Sequence, residues 1–226
     1  MKRSEVNSIL RDAVGFLEES KFRLPPFAYW TPADWTVKGP EADEIRDNLL
    51  GWDITDFGTG DFRNCGLVLF TLRNGNIKNL QYRKPYAEKI MIIEEEQRTP
   101  MHFHFNKMED IINRGGGTLL LELYNSTGNG LLDKEKPVRA SSDGVEREFV
   151  PGETIRLAVG ESITLPPYLY HSFYAEKGRG TVLSGEVSMV NDDATDNRFL
   201  EPMGRFPEIE ENEPVLYYLC SEYPRA

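Results

Sequence analysis

Between residues 3 and 20, Val6, Ile9, Leu10, Ala13, Val14 and Leu17 recur at three- and four-residue intervals, and charged side chains occupy the opposite face. That spacing predicts an amphipathic helix with Ser4 as its N-cap. Leu24-Pro25-Pro26 breaks the pattern, and Phe27, Tyr29, Trp30 and Trp35 then read as an extended arm whose rings must pack against something apolar. Prolines and acids at the start, with Gly51 just past the end, predict a second short helix over 40–50.

From residue 52 onward the pattern changes to β-branched and aromatic runs punctuated by Gly, Asn, Asp and Pro. Strands are predicted at 67–72, 89–94, 101–105, 118–124, 154–157, 162–165, 171–176 and 180–190. Many short strands separated by turn residues indicate an all-β sandwich or barrel. The polar stretch 125–143, with Asn129-Gly130 and Asp143-Gly144, reads as a long hairpin or loop insertion, and 215–220 as a terminal strand. There is no internal repeat. The expected organisation is one domain over 1–226, with a helix and arm at 1–50 and a barrel at 51–226 carrying an insertion near 125–150.

A net charge of −11 gives the wrong sign for a nucleic-acid or anionic-membrane surface, and favours a neutral or cationic ligand. Cys65 and Cys220 can form at most one disulfide, and no charged-then-apolar leader opens the chain, so free thiols and a cytoplasmic location are expected. No apolar run approaches the roughly 18 to 20 residues needed to span a bilayer.

All three histidines of the chain fall in one arrangement: His102 and His104 in His-Phe-His, Glu109 five residues later, and His171 far downstream. In a strand, alternate residues share a face, so His102 and His104 can reach one ion while Phe103 points into apolar packing. Glu109 has the opposite parity, which fits a turn around Asn106 and Lys107 that brings its carboxylate back to the same point. Three imidazoles and a carboxylate are ligands for a divalent first-row metal and leave positions for water or substrate. Phe105 and Met108 read as core residues.

At these residues the chain resembles the cupin superfamily, with motifs Gly-x5-His-x-His-x3-4-Glu-x6-Gly and Gly-x5-Pro-x-Gly-x2-His-x3-Asn. His102, His104, Glu109 and Gly116 match the first, and Gly160, Pro166 and His171 the second; Glu96 departs from the first, and Tyr168 and Ala175 from the second, in ways that concern turn geometry. The resemblance implies a cupin jelly-roll (double-stranded β-helix) barrel with a metal inside. Residues 51–58, 85–89, 102–110 and 186–205, the last including Asn191-Asp192-Asp193, are more specifically similar to the D-lyxose ketol-isomerase family. That resemblance implies an aldose-ketose isomerase for D-lyxose and D-xylulose, with mannose and fructose as secondary sugars, and manganese as the metal; the ligand types alone also accept Fe²⁺, Co²⁺ and Zn²⁺.

Moving a proton between adjacent sugar carbons needs a base near the carbon and a group that carries the oxygen proton. Lys107 and Glu186 are the leading candidates, Glu186 because even positions of 184–188 are polar and can face the pocket. Glu201 and Arg205 are further candidates for an acid-base group and a substrate contact, and Asp193 a weaker one. Trp52, Tyr170 and Phe173 offer surfaces on which sugars stack. The aromatic arm and terminal strand would suit a homodimer contact. Two other readings share the ligand set: a non-haem cupin dioxygenase, and a non-catalytic sugar-binding cupin.

Overall fold

The computed structural model describes residues 1–204 and 206–225. Helix α1 (Arg3–Glu19) buries Val6, Leu10, Ala13 and Leu17, the stripe that the spacing selects. Its N-cap is Lys2 rather than Ser4, because the Glu5 carboxylate accepts from the Lys2 amide while the Ser4 amide donates to Asn212 Oδ1. Lys21, at φ 57°, ends the helix in the left-handed region. The arm is not extended. Pro26–Tyr29 forms a 3-10 turn, and α2 (Pro32–Trp35) is capped by Thr31, whose hydroxyl and Asp34 carboxylate satisfy each other's backbone amides. Over 40–50 the expected helix is reduced to a 3-10 turn, Pro40–Ala42, and the short α3 (Asp43–Asp47).

The strands follow in order: β1 Gly51–Thr55, β2 Leu67–Arg73, β3 Tyr86–Ile93, β4 His102–His104, β5 Glu109–Gly116, β6 Leu119–Ser126 and β7 Leu132–Asp133. Then come β8 Val138–Ser142, β9 Val145–Phe149, β10 Thr154–Leu157, β11 Ser162–Leu165, β12 Leu169–Ala175, β13 Val182–Met189 and β14 Asn197–Phe199. One sheet runs β1-β2-β3-β13-β5-β11 and the other β10-β6-β12-β4-β14, with β7 at the edge of β6. The insertion is a hairpin, β8 against β9.

The two sheets enclose a core that includes Leu69, Met91, Ile111, Leu121, Leu157 and Phe173. A second core covers the other face of the first sheet, where Trp52, Ile54, Phe70, Ile90 and Leu183 pack against α1 and the arm. Covering both faces of this sheet buries β1 at all five positions, Asp53 and Thr55 included, although they alternate with Trp52 and Ile54. Within the chain the arm packs on this sheet and on the C-terminal segment, with Trp35 stacked on Tyr223.

Residues 215–220 form no strand. The Asn7 side chain donates to Pro214 O and accepts from the Leu216 amide, taking backbone groups a ladder would use, and only Leu219 bridges to Trp52. Phe105 and Met108 are exposed in place of the expected core positions. At two departures from the glycine pattern, the conformation persists without the glycine: Glu96 has φ 61° and Tyr168 φ 63°. Among the described residues no helix is long and apolar enough to cross a membrane.

Candidate active site and metal centre

Strand β4 pairs with β12 at His102 opposite His171, and the turn into β5 returns the chain so that Glu109 faces the same point. One nitrogen from each of His102, His104 and His171 lies within 4.8 Å of the others. Glu109 Oε1 is 3.3 Å from His104 Nε2 and 3.1 Å from His171 Nε2.

Backbone carbonyls orient two of the rings. His102 Nδ1 is 2.8 Å from Pro100 O, and His171 Nδ1 is 3.0 Å from Leu169 O. A carbonyl only accepts, so the proton belongs on Nδ1 and the Nε2 lone pair is bare. His171 Nε2 is buried with no hydrogen-bond donor, although Glu109 Oε1 stands 3.1 Å away. Two buried acceptors at that separation repel unless a cation lies between them. Donor atoms that share one first-row ion at about 2.1 Å are themselves spaced by about 3 Å, so these residues fit a divalent metal.

The electrostatics agree with ligand service. Burial holds the His102 imidazole well below its ordinary pKa, with His171 and His104 adding to the effect. Burial and then Lys107 lower His104. Burial disfavours the Glu109 carboxylate, yet Lys107 and the imidazole of His104 overcome it and hold the acid well below the usual range. Neutral imidazoles and an ionised carboxylate are the forms that bind metal.

Beside this cluster runs a chain of alternating charges. Lys107 Nζ is 2.6 Å from Glu109 Oε2 and 2.9 Å from Glu186 Oε1. Burial alone would lower the Lys107 pKa, but Glu109, Glu186 and Asp193 raise it, so the group is an ammonium. Lys89 Nζ stands 3.4 Å from Glu186 Oε1 and donates to Asn191 Oδ1 at 2.7 Å. Lys107 owes its place to Asp196, whose carboxylate accepts from the Asn106 and Lys107 amides and pins the turn between β4 and β5.

Lys107, Glu186, His102, His104, Glu109 and Asp193 all line one cavity, with Phe57, Phe173 and Phe199 as its apolar wall. The even positions of β13 point inward: Ser184, Glu186 and Ser188 are buried while Val187 and Met189 are exposed. Glu201 is exposed and not among the cavity-lining residues, and Arg205 lies outside the described residues. Trp52 is sealed in the second core, its indole donating to Ala28 O. Tyr170 packs on Phe103 and donates to Gly130 O, so of the three proposed stacking rings only Phe173 reaches the cavity. Sequence reasoning missed Lys89, Asn191 and Asp196 as site residues. Lys89 was findable, since it shares strand parity with Met91 and Ile93 and so points into the barrel.

The D-lyxose isomerase family model matches residues 1–223. The chain belongs to this family. The D-lyxose/D-mannose isomerase of Serratia proteamaculans is 52% identical over 227 residues, covering 100% of this chain and 99% of the relative. That of Escherichia coli O157:H7 is 50% identical over 224 residues, covering 99% and 98%. Among solved structures, the L-ribose isomerase of Cellulomonas parahominis with L-psicose superposes with a TM-score of 0.61 at 15% identity, over 93% of this chain and 98% of that one. At that identity the likeness speaks for the fold, which is the expected cupin barrel, and family membership makes the chain a sugar aldose-ketose isomerase. The dioxygenase and binding-only readings fall with that finding.

Proposed function

We propose that this isomerase interconverts D-lyxose with D-xylulose, and D-mannose with D-fructose, by metal-assisted proton transfer through an enediol. The observation that carries the reading is the buried Glu109-Lys107-Glu186 chain beside a histidine cluster whose bare nitrogens call for a cation. The names of the half-identical relatives support the pair of sugars.

His102, His104, Glu109 and His171 would hold a divalent ion, which would supply Lewis-acid polarisation of the substrate; manganese is our choice among the ions these ligands accept. Glu186 removes the proton from C2 of the open-chain aldose. The C1 oxygen takes a proton from Lys107, giving the enediol. Glu186 then returns its proton to C1, and the O2 proton passes to Lys107 as the C2 carbonyl forms. Glu109 and Glu186, on either side of the Lys107 ammonium, keep it in place through both transfers. Phe57, Phe173 and Phe199 form the apolar wall of the cavity, and the proton on Glu186 exchanges with solvent before it reaches C1.

The test is to strip the protein with a chelator, restore Mn²⁺, Fe²⁺, Co²⁺ or Zn²⁺ singly, and assay a panel of aldoses for ketose. Activity restored by manganese, highest on D-lyxose and D-mannose, is expected; ketose formation by the stripped protein would remove the metal from the mechanism. In deuterated water the product should carry deuterium at C1. Product without it would replace proton transfer by a hydride shift.

A further inference from the structure

Two ammonium groups, on Lys89 and Lys107, approach the same oxygen of Glu186, and a second acceptor holds them there. Asn191 Oδ1 accepts from Lys89 Nζ at 2.7 Å and from Lys107 Nζ at 3.4 Å. Asn191 lies just beyond the end of β13, outside any strand, so the ladder that fixes Glu186 does not fix it. Another side chain does. The Asn191 amide donates to Asn74 Oδ1 at 3.0 Å, and the Asn191 carbonyl accepts from Asn74 Nδ2, also at 3.0 Å. One carboxamide thus grips both backbone groups of Asn191, as a neighbouring strand would.

Asn74 is itself held. Its Nδ2 also donates to Asn48 O at 3.3 Å, the Asn48 side chain donates to Asn74 O at 3.1 Å, and Asn76 Nδ2 donates to Asn48 Oδ1 at 3.1 Å. Asn74 and Asn48 are buried, and with Asn191 they line a second cavity that shares only Asp193 with the sugar cavity. An apolar side chain at 74 would leave the amide and carbonyl of Asn191 without these partners.

We propose that Asn74 is a positioning residue for the isomerisation: it holds Asn191, whose amide oxygen sets Lys89 and Lys107 around Glu186. The inference rests on the acid-base reading of Lys107 and Glu186 given above.

The experiment is a double-mutant cycle on the metal-loaded enzyme with D-lyxose. Asn74→Leu and Asn191→Leu should each lower kcat by about 10- to 100-fold, the scale expected for an ångström of misplacement, with KM changed much less. Asn191→Asp retains an acceptor oxygen and should keep most of kcat. The Asn74→Leu/Asn191→Leu double variant should be no slower than the worse single variant, because both act through one contact. An unchanged kcat in Asn74→Leu, or losses that multiply, would overturn the inference. If Asn74→Leu does not fold, equal kcat in Asn191→Leu and Asn191→Asp overturns it as well. Lys107→Met separates the two levels. If that variant is inactive while Asn74→Leu is fully active, only the positioning role fails; if Lys107→Met is active, the acid-base reading fails and takes the inference with it.

Discussion

Glu109 is the residue on which two kinds of chemistry meet, since one carboxylate oxygen faces His104 and His171 and the other faces Lys107. Removing the base and removing a ligand should therefore look different. Glu186→Gln keeps the size and hydrogen-bonding reach of the side chain but cannot take a proton, and kcat should fall by about 10² to 10⁴, the usual range for a general base, with bound metal unchanged. His171→Ala should instead lower metal affinity by more than the roughly 10- to 100-fold that follows loss of an outer-shell partner. Metal content after dialysis and kcat at saturating metal distinguish the two. Loss of metal from Glu186→Gln would place that carboxylate among the ligands. The histidines, Glu109, Lys107 and Glu186 were readable because strand parity and spacing locate them. Asn191, Asp196 and Asn74 were not, because each acts from a loop through a contact about 90 to 117 positions away in the chain.

The strands themselves were legible wherever turn residues bounded a β-branched run, so β2, β3, β6, β10, β11 and β13 appear close to their expected places. What escaped was decided by tertiary partners. β1 is only five residues long and buries Asp53 and Thr55 beside Trp52 and Ile54, the 215–220 segment gives its backbone groups to Asn7, and the arm folds into turns that Thr31 caps. Glycine positions carry a sharper message about the turns. Gly116, at φ 79°, closes the end of β5, and a Cβ there would sit 2.1 Å from Thr181 O. Gly144, at φ 81°, turns β8 into β9 with open space around it. Gly144→Ala should cost only backbone strain, about 1 to 2 kcal/mol. Gly116→Ala adds a clash with main chain and should cost clearly more. Chemical denaturation of both variants checks this, and equal losses would show that the β5–β13 junction can give way.

At the scale of the whole molecule, the chain ends lock together over the face of the first sheet that lies away from the sugar cavity. Arg3 is buried and pairs with Glu211 and Glu222, the N-terminal ammonium donates to Glu208 O, and Tyr223 stacks on Trp35 while its hydroxyl donates to Leu50 O at 2.8 Å. Gly51 permits this approach, because a Cβ at that position would lie 1.9 Å from the Tyr223 oxygen. The clasp carries its own pH dependence. Burial, with the charges of Cys220 and Glu222 adding to it, raises the Tyr223 pKa well above its ordinary value of 10.0. The folded value is the higher one, so the stabilisation is fully present below pH 10 and is lost as pH rises from there toward the folded pKa, because the unfolded tyrosine releases its proton first. Tyr223→Phe removes both the hydrogen bond and the titration. At neutral pH it should cost about 0.5 to 1.5 kcal/mol, the net worth of one hydrogen bond. Above about pH 10, the range in which a free tyrosine ionises, the parent protein should lose stability more steeply than the variant, and the gap between them should close. Denaturant midpoints followed by tryptophan fluorescence across that range measure the gap directly, and a gap that stays constant would mean that the hydroxyl ionises in the folded clasp as readily as in the unfolded chain.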